Sequence, residues 1–185
     1  MKLKYLALAG LLGFTACDDV IDLKPLDTFT DESYWTSVDD LRNYANRFYT
    51  NLAAPSSTYD QQSDNRVPAN YDAWLYNEYT LDRAGDWSWT NIRQINYFLK
   101  YNVEEKVDAA VRENLNGVAY FFRAHQYFEK LKQYGAVPWI DEPLNPDDER
   151  LYAPRNTREE IVNHILEDLD NAHKMIAESA ATPNN

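Results

Sequence analysis

Nine of the 26 aromatic side chains fall in the 31 residues from Tyr71 to Tyr101, interspersed with Asp72, Asn77, Asp82, Arg83 and Asp86. Flat rings suit the apolar C–H faces of sugars, and charged or amide groups at the rim suit hydroxyls. Trp89 sits at the start of a helical period and is assigned to packing. Trp74 and Trp87 lie in less periodic stretches, so Trp74, Trp87, Arg83 and Asp86 are the candidate ligand-binding residues. Any one of these rings can equally pack a loop onto a helix. Catalytic chemistry has less to stand on. The chain carries no G-x-S-x-G, H-E-x-x-H or glycine-rich phosphate loop. His125 and Glu129, four apart on a helix, could share a metal, yet two ligands do not make a site, and a hydrogen bond between helices accounts for the histidine more simply. His164 and His173 stand on a helix read as solvated. Among 30 acids, carboxylate spacing says nothing about glycoside hydrolysis. The expectation is a protein without enzymatic activity, metal or cofactor.

The one cysteine has a different chemistry. Met1 to Cys17 reads MKLKYLALAGLLGFTAC, with two lysines, then a short apolar stretch from Tyr5 to Ala16, then the thiol. This is a secretory signal, too short to span a bilayer. Phe14-Thr15-Ala16-Cys17 resembles a bacterial lipobox, with Phe14 in place of the usual Leu. In that reading residues 1–16 are removed and Cys17 is lipidated. A diacylated and N-acylated cysteine carries three chains, and two already suffice for stable anchoring. The membrane is engaged through the lipid anchor only. Losing Lys2 and Lys4 takes the net charge from −12 to −14, a surface that anionic headgroups repel. The same acidity excludes a nucleic-acid partner, since neutralising phosphates takes clustered Lys and Arg.

The elements that must position these residues are helices. Ser37 caps an amphipathic helix read through Leu52, with Val38, Leu41, Ala45 and Phe48 on one side. Residues 53–72 read as an irregular loop. A second helix runs from Trp87 or Trp89 to Tyr101, with Asp86 as its cap. The third and longest spans Val103 to Tyr134 and is stopped by Gly135, with Gly117 inside it permitting close backbone approach. Val137-Pro138-Trp139-Ile140 is extended. After the proline-rich stretch Pro143 to Pro154, Thr157 and Glu160 form a capping box for a fourth helix through Ile176. Arg123, among apolar and aromatic neighbours on the third helix, calls for a carboxylate or carbonyl partner. The fold class is all-α, with tetratricopeptide-like helical hairpins, long irregular aromatic loops and too few hairpins to complete an α-solenoid. The expected organisation is a signal peptide at 1–16, a lipidated lead-in at 17–36, a helical domain at 37–180 and a linker-like tail at 181–185.

Four ordered segments then resemble the amino-terminal part of the SusD/RagB family of nutrient-uptake lipoproteins. They are Leu23-Lys24-Pro25 through Tyr34-Trp35 to Leu41, Trp89-Thr90-Asn91-Ile92-Arg93 to Asn96, Ala119 through Arg123-Ala124 to Tyr134-Gly135-Ala136-Val137-Pro138, and Arg155 through Thr157 and Glu160 to Ala172. Ala136 replaces the family's second glycine. The resemblance implies a surface-exposed lipoprotein of the cell outer membrane that binds an oligosaccharide or peptide and hands it to a SusC-like TonB-dependent transporter. The alternative is a structural lipoprotein, or a scaffold for the transporter, that binds no ligand itself.

Overall fold

The computed structural model describes residues 34–52, 66, 68–80, 87–103 and 107–176. Cys17, Arg83, Asp86 and the signal stretch lie outside the described residues. The chain divides after Tyr34, and all the helices below belong to the second unit, Trp35–Asn185.

Four α-helices are described: α1 (Val38–Asn46), α2 (Thr90–Tyr101), α3 (Ala109–Tyr134) and α4 (Arg158–Met175), with short 3₁₀ turns at Arg47–Asn51 and Glu149–Tyr152. Among the described residues there is no strand; one isolated antiparallel bridge joins Val137 to Asn156. The class is all-α.

Capping chemistry sets the helix ends. Ser37 Oγ accepts from the Asp40 amide at 3.1 Å and starts α1. The expected continuation to Leu52 is not α-helical: the chain tightens into the 3₁₀ turn after Asn46. There the Thr50 hydroxyl donates to the Arg47 carbonyl at 2.7 Å, a local bond that competes with the helical ladder. Phe48 stays buried all the same. Asp86 is not the cap of α2. The cap position is Trp89, which contributes no side-chain bond, and Ser88 Oγ accepts the Thr90 amide at 3.4 Å. α3 starts six residues later than the apolar period suggests, because the Asp108 carboxylate accepts from the Ala110 and Val111 amides at 2.9 and 3.2 Å. Gly135 ends it with φ +73°, where a side chain would be strained and would also meet the Arg158 guanidinium at 2.8 Å. Thr157 and Glu160 form the expected reciprocal capping box.

α3 is the central element, with α1, α2 and α4 packed on it. α4 runs antiparallel to it: the end of α4 reaches Gly117, where an added Cβ would stand 2.9 Å from Met175 Cβ and Ile176 Cγ1. Rings fill one part of the core, where Phe98 lies 5.7 Å from both Tyr44 and Phe48, and Phe48 lies 6.0 Å from Phe122. A second part gathers Ile92, Ala124, Tyr127, Val137, Ile161 and Ile165. His164, read from sequence as solvated, is half-buried and stacks on Trp139 at 4.3 Å with planes 7° apart.

Between these parts lies a buried ion pair. Arg123 Nε and Nη2 donate to the two Asp168 oxygens at 2.7 Å each. Arg123 Nη1 reaches Asn96 Oδ1 at 3.2 Å and the Asp141 carbonyl at 3.1 Å. Burial works against the Arg123 charge, but Asp168 more than offsets it and holds the guanidinium above its ordinary value. Burial is also the largest influence on Asp168 and pushes its carboxyl up, against the pull of Arg123. Such a pair is expensive to desolvate and more expensive to break from one side.

Arg123→Met is therefore expected to cost about 3–5 kcal/mol, read as a lower urea midpoint at unchanged slope. The double variant R123M/D168L should recover part of that loss, since the orphaned carboxylate goes while Asn96 and the Asp141 carbonyl still lack their donor. A second expectation concerns acid. The Thr157 amide and hydroxyl hold the Glu160 carboxyl below its ordinary value of 4.5. A depressed folded value gives stability that is present above the unfolded value and lost as pH falls through the folded one. The thermal advantage of the wild type over Glu160→Gln should be full at neutral pH and shrink below 4.5.

Candidate functional site

Two concavities open on the described surface. The first is a cleft of about 260 Å³ lined by Trp87, Trp89, Ile92, Arg93, Pro138, Ile140, Glu142, Leu144, Arg150 and Leu151. Three stretches of chain meet there: the lead-in and first turn of α2, the extended link after α3, and the second 3₁₀ turn. The link is set by Tyr127 of α3, whose hydroxyl accepts from the Ile140 amide at 2.7 Å and donates to the Ile140 carbonyl at 2.9 Å. Burial pushes that phenol well above its usual range, so it stays protonated and able to do both. Asn156 holds the other end: its amide donates to the Val137 carbonyl at 3.0 Å and its Oδ1 accepts from the Trp139 amide at 2.8 Å.

The polar groups of the cleft are tied down. Arg93 Nη1 donates to the Leu144 carbonyl. Arg150 donates to Asp148 through Nε at 2.9 Å and Nη2 at 2.6 Å, and to Glu142 through Nη1. The bonds from Arg150 lower the Asp148 carboxyl to about 2, and Arg150 is raised in turn. Two carboxylates thus surround one guanidinium at the rim. The cleft offers indole and aliphatic surface, with charged hydrogen-bonding groups of both signs paired at its exposed rim. That arrangement suits recognition of a neutral, hydroxyl-bearing ligand.

The second concavity, about 410 Å³, lies between α3 and α4 and is lined by Phe121, Ala124, His125, Phe128, Leu131, Val162, Ile165, Leu166 and Leu169. Five of these are exposed apolar side chains. Its histidine has little polar company: His125 Nε2 stands 3.9 Å from Glu129, and Nδ1 meets no hydrogen-bond partner among the described residues. The expected bond from His125 to another helix is not formed among the described residues. Among the described residues no group of three or more His, Cys, Asp or Glu side chains could hold a metal. An apolar groove of this kind suits packing of another apolar surface rather than binding of hydroxyls.

Of the ligand-binding candidates read from sequence, Trp87 lines the first cleft, 40% exposed, and Trp74 does not. Trp74 belongs to a separate turn over residues 73–77, where its amide bonds Asp72 Oδ1 at 2.8 Å and its ring meets Tyr79 at 5.1 Å. Arg83 and Asp86 are outside the described residues. Trp89, assigned to packing, does pack on the core, and it also lines the cleft. Sequence reasoning missed Arg93, Glu142 and Arg150. The only signal for the last two was charge of both signs inside a proline-rich link.

No described helix is long and apolar enough to cross a membrane. Comparison with known proteins gives consistent matches. A SusD-like family model described as "Starch-binding associating with outer membrane" matches residues 24–184. SusD-like protein P38 of Formosa agariphila is 21% identical over 187 aligned positions, covering 94% of this chain and 37% of that protein. The crystal structure of a SusD-like protein from Bacteroides fragilis superposes with a TM-score of 0.71 at 26% identity, over 86% of this chain and 33% of its own. The chain spans about a third of the length of these relatives.

Proposed function

The chain belongs to the SusD-like family, and from that premise we propose that it captures glycan nutrients at the outer-membrane surface without catalysis and hands them to a SusC-like TonB-dependent transporter. The observation that carries this reading is the cleft bounded by Trp87 and Trp89, with Arg93, Glu142 and Arg150 at its edge. Indole surface would take a sugar's C–H face, and the rim groups its hydroxyls. Its volume lies just below the ~300–1,000 Å³ usual for small-ligand sites. It would hold one or two sugar units of a longer chain, with the remainder of the ligand resting on other parts of the protein. Trp74, on its own exposed turn, is kept as a more distant contact, and Arg83 and Asp86 as rim partners between Trp74 and Trp87 in sequence. A peptide ligand remains the alternative cargo implied by the family.

In this reading Cys17 carries the lipid anchor and the net negative surface holds the body off the headgroups. Import energy comes from the transporter. The open apolar groove between α3 and α4 supports the incomplete-solenoid reading, because a solenoid buries such a face under its next helical pair.

Isothermal titration of the intact protein against a panel of plant and host oligosaccharides and short peptides tests the binding role. Heat is expected with at least one glycan, with affinity falling about tenfold in Trp87→Ala, near the upper end of what one aromatic contact contributes. Silence across the whole panel would favour the scaffold reading. The anchor is tested separately: the wild type should fractionate with membranes and show an acylated Cys17 by mass spectrometry. Cys17→Ser should be released, and an unmodified thiol on a soluble wild type would refute the anchor.

A further inference from the structure

Lys130 is a lysine that does not reach open water. It projects from α3, is 8% exposed, and sets its ammonium 4.7 Å from the Trp89 ring centroid, 5.5 Å from Trp87 and 5.6 Å from Tyr134. The Trp87 ring stands nearly at right angles to each of the other two. Trp87 meets Trp89 at 5.3 Å and 78°, and Tyr134 at 4.6 Å and 89°. Three π surfaces around one cation form a box. Lysines ordinarily snorkel toward solvent, because a desolvated ammonium is costly. Cation–π attraction strengthens as water is excluded, so the box offsets part of that cost.

Two of the three box walls, Trp87 and Trp89, are also walls of the cleft, whereas Lys130 does not line it. Trp87 precedes the first residue of α2, and the cap of that helix makes no side-chain bond. The angle of its ring is set by what touches it. We infer that Lys130 is a positioning residue for the proposed glycan cleft, its buried ammonium holding the Trp87 and Trp89 rings at the angle the sugar meets. The inference rests on the cleft being the binding site, but its structural half stands without any ligand. Arg155, whose guanidinium lies 5.0 Å from the Trp87 ring and is exposed, is a second cation on that ring and a weaker holder, since water competes with it.

The test compares wild type, Lys130→Met, which keeps the stem and removes the charge, and Lys130→Arg, which keeps the charge. Without ligand, K130M is expected to retain its far-ultraviolet circular dichroism, lose indole near-ultraviolet signal and become more open to acrylamide quenching. K130R should restore both. With maltoheptaose, a neutral α-glucan chosen from the starch-binding description of the family model, K130M should bind about tenfold more weakly than wild type and K130R within about twofold. A K130M protein with wild-type indole signals overturns the positioning role, whatever its affinity. Lost affinity with unchanged indole signals would make Lys130 a direct ligand contact, which also overturns it. Wild-type indifference to maltoheptaose and to the wider glycan panel sinks the binding reading alone, and the ligand-free comparison still decides the positioning. Should K130M fail to fold, nuclear magnetic resonance of the wild type decides. Boxed ε-methylene protons of Lys130 resonate far upfield through ring currents, and random-coil shifts there would refute the box.

Discussion

Arg123 carries a full charge into an interior built mainly of rings and aliphatic side chains, and three other parts of the chain answer it. Asp168 supplies two oxygens from α4, Asn96 one from α2, and the Asp141 carbonyl one from the link. Tyr120 and Trp139 place their rings 5.1 and 5.3 Å from the guanidinium carbon. A planar fork with five donors can fix the mutual placement of several elements at once, which a lysine at the same place could not. Since burial opposes both charges, the pair contributes less to net stability than to arrangement: any other register of α4 against α3 leaves two charges unpaired in the interior.

The candidate cleft inherits its shape from this arrangement. Its floor is α2, placed in part by Asn96, which shares Arg123 and donates to the Ile140 carbonyl at 2.8 Å. Its far wall is the link, and its near wall is the tryptophan pair leaning on α3. Each wall is thus fixed from the helical core, while the rim is closed by exposed charge pairs that solvent can loosen. Rigid walls with a hydrated rim favour ligands recognised by shape and hydroxyl pattern over ligands recognised by net charge.

Local chemistry was legible in the residues, and contact across distance was not. The Thr157–Glu160 box, the Gly135 stop, the close approach at Gly117 and the need of Arg123 for a carboxylate each follow from residue type and neighbourhood. Boundaries were misread where two local signals competed. Apolar periodicity runs back from α3 to Val103, but the Asp108 side chain holds the first amides, and Asp86 was a plausible cap on a helix that begins only at Thr90. For the site, Trp87 was visible as an unclaimed ring. Glu142 and Arg150 were not, because nothing in a proline-rich stretch says which helix it will face. Trp74 shares the composition of Trp87, but it belongs to a turn that does not line the cleft, and residue type alone does not distinguish the two.

The Tyr127 hydroxyl satisfies both backbone groups of Ile140, and Asn156 does comparable service for Val137 and Trp139. Two residues thereby do the work of a neighbouring strand, Tyr127 through its hydroxyl and Asn156 through its main-chain N–H and its side-chain oxygen, and the link is clamped at its exit from α3 and again at its return to α4. Asp141 and Leu144 are still tied to α3 and α2 through Arg123 and Arg93, but the exposed stretch from Asn145 to Pro154 can change sequence with less strain passed to the helices. Evolution could retailor the cleft's outer wall there on an unchanged frame.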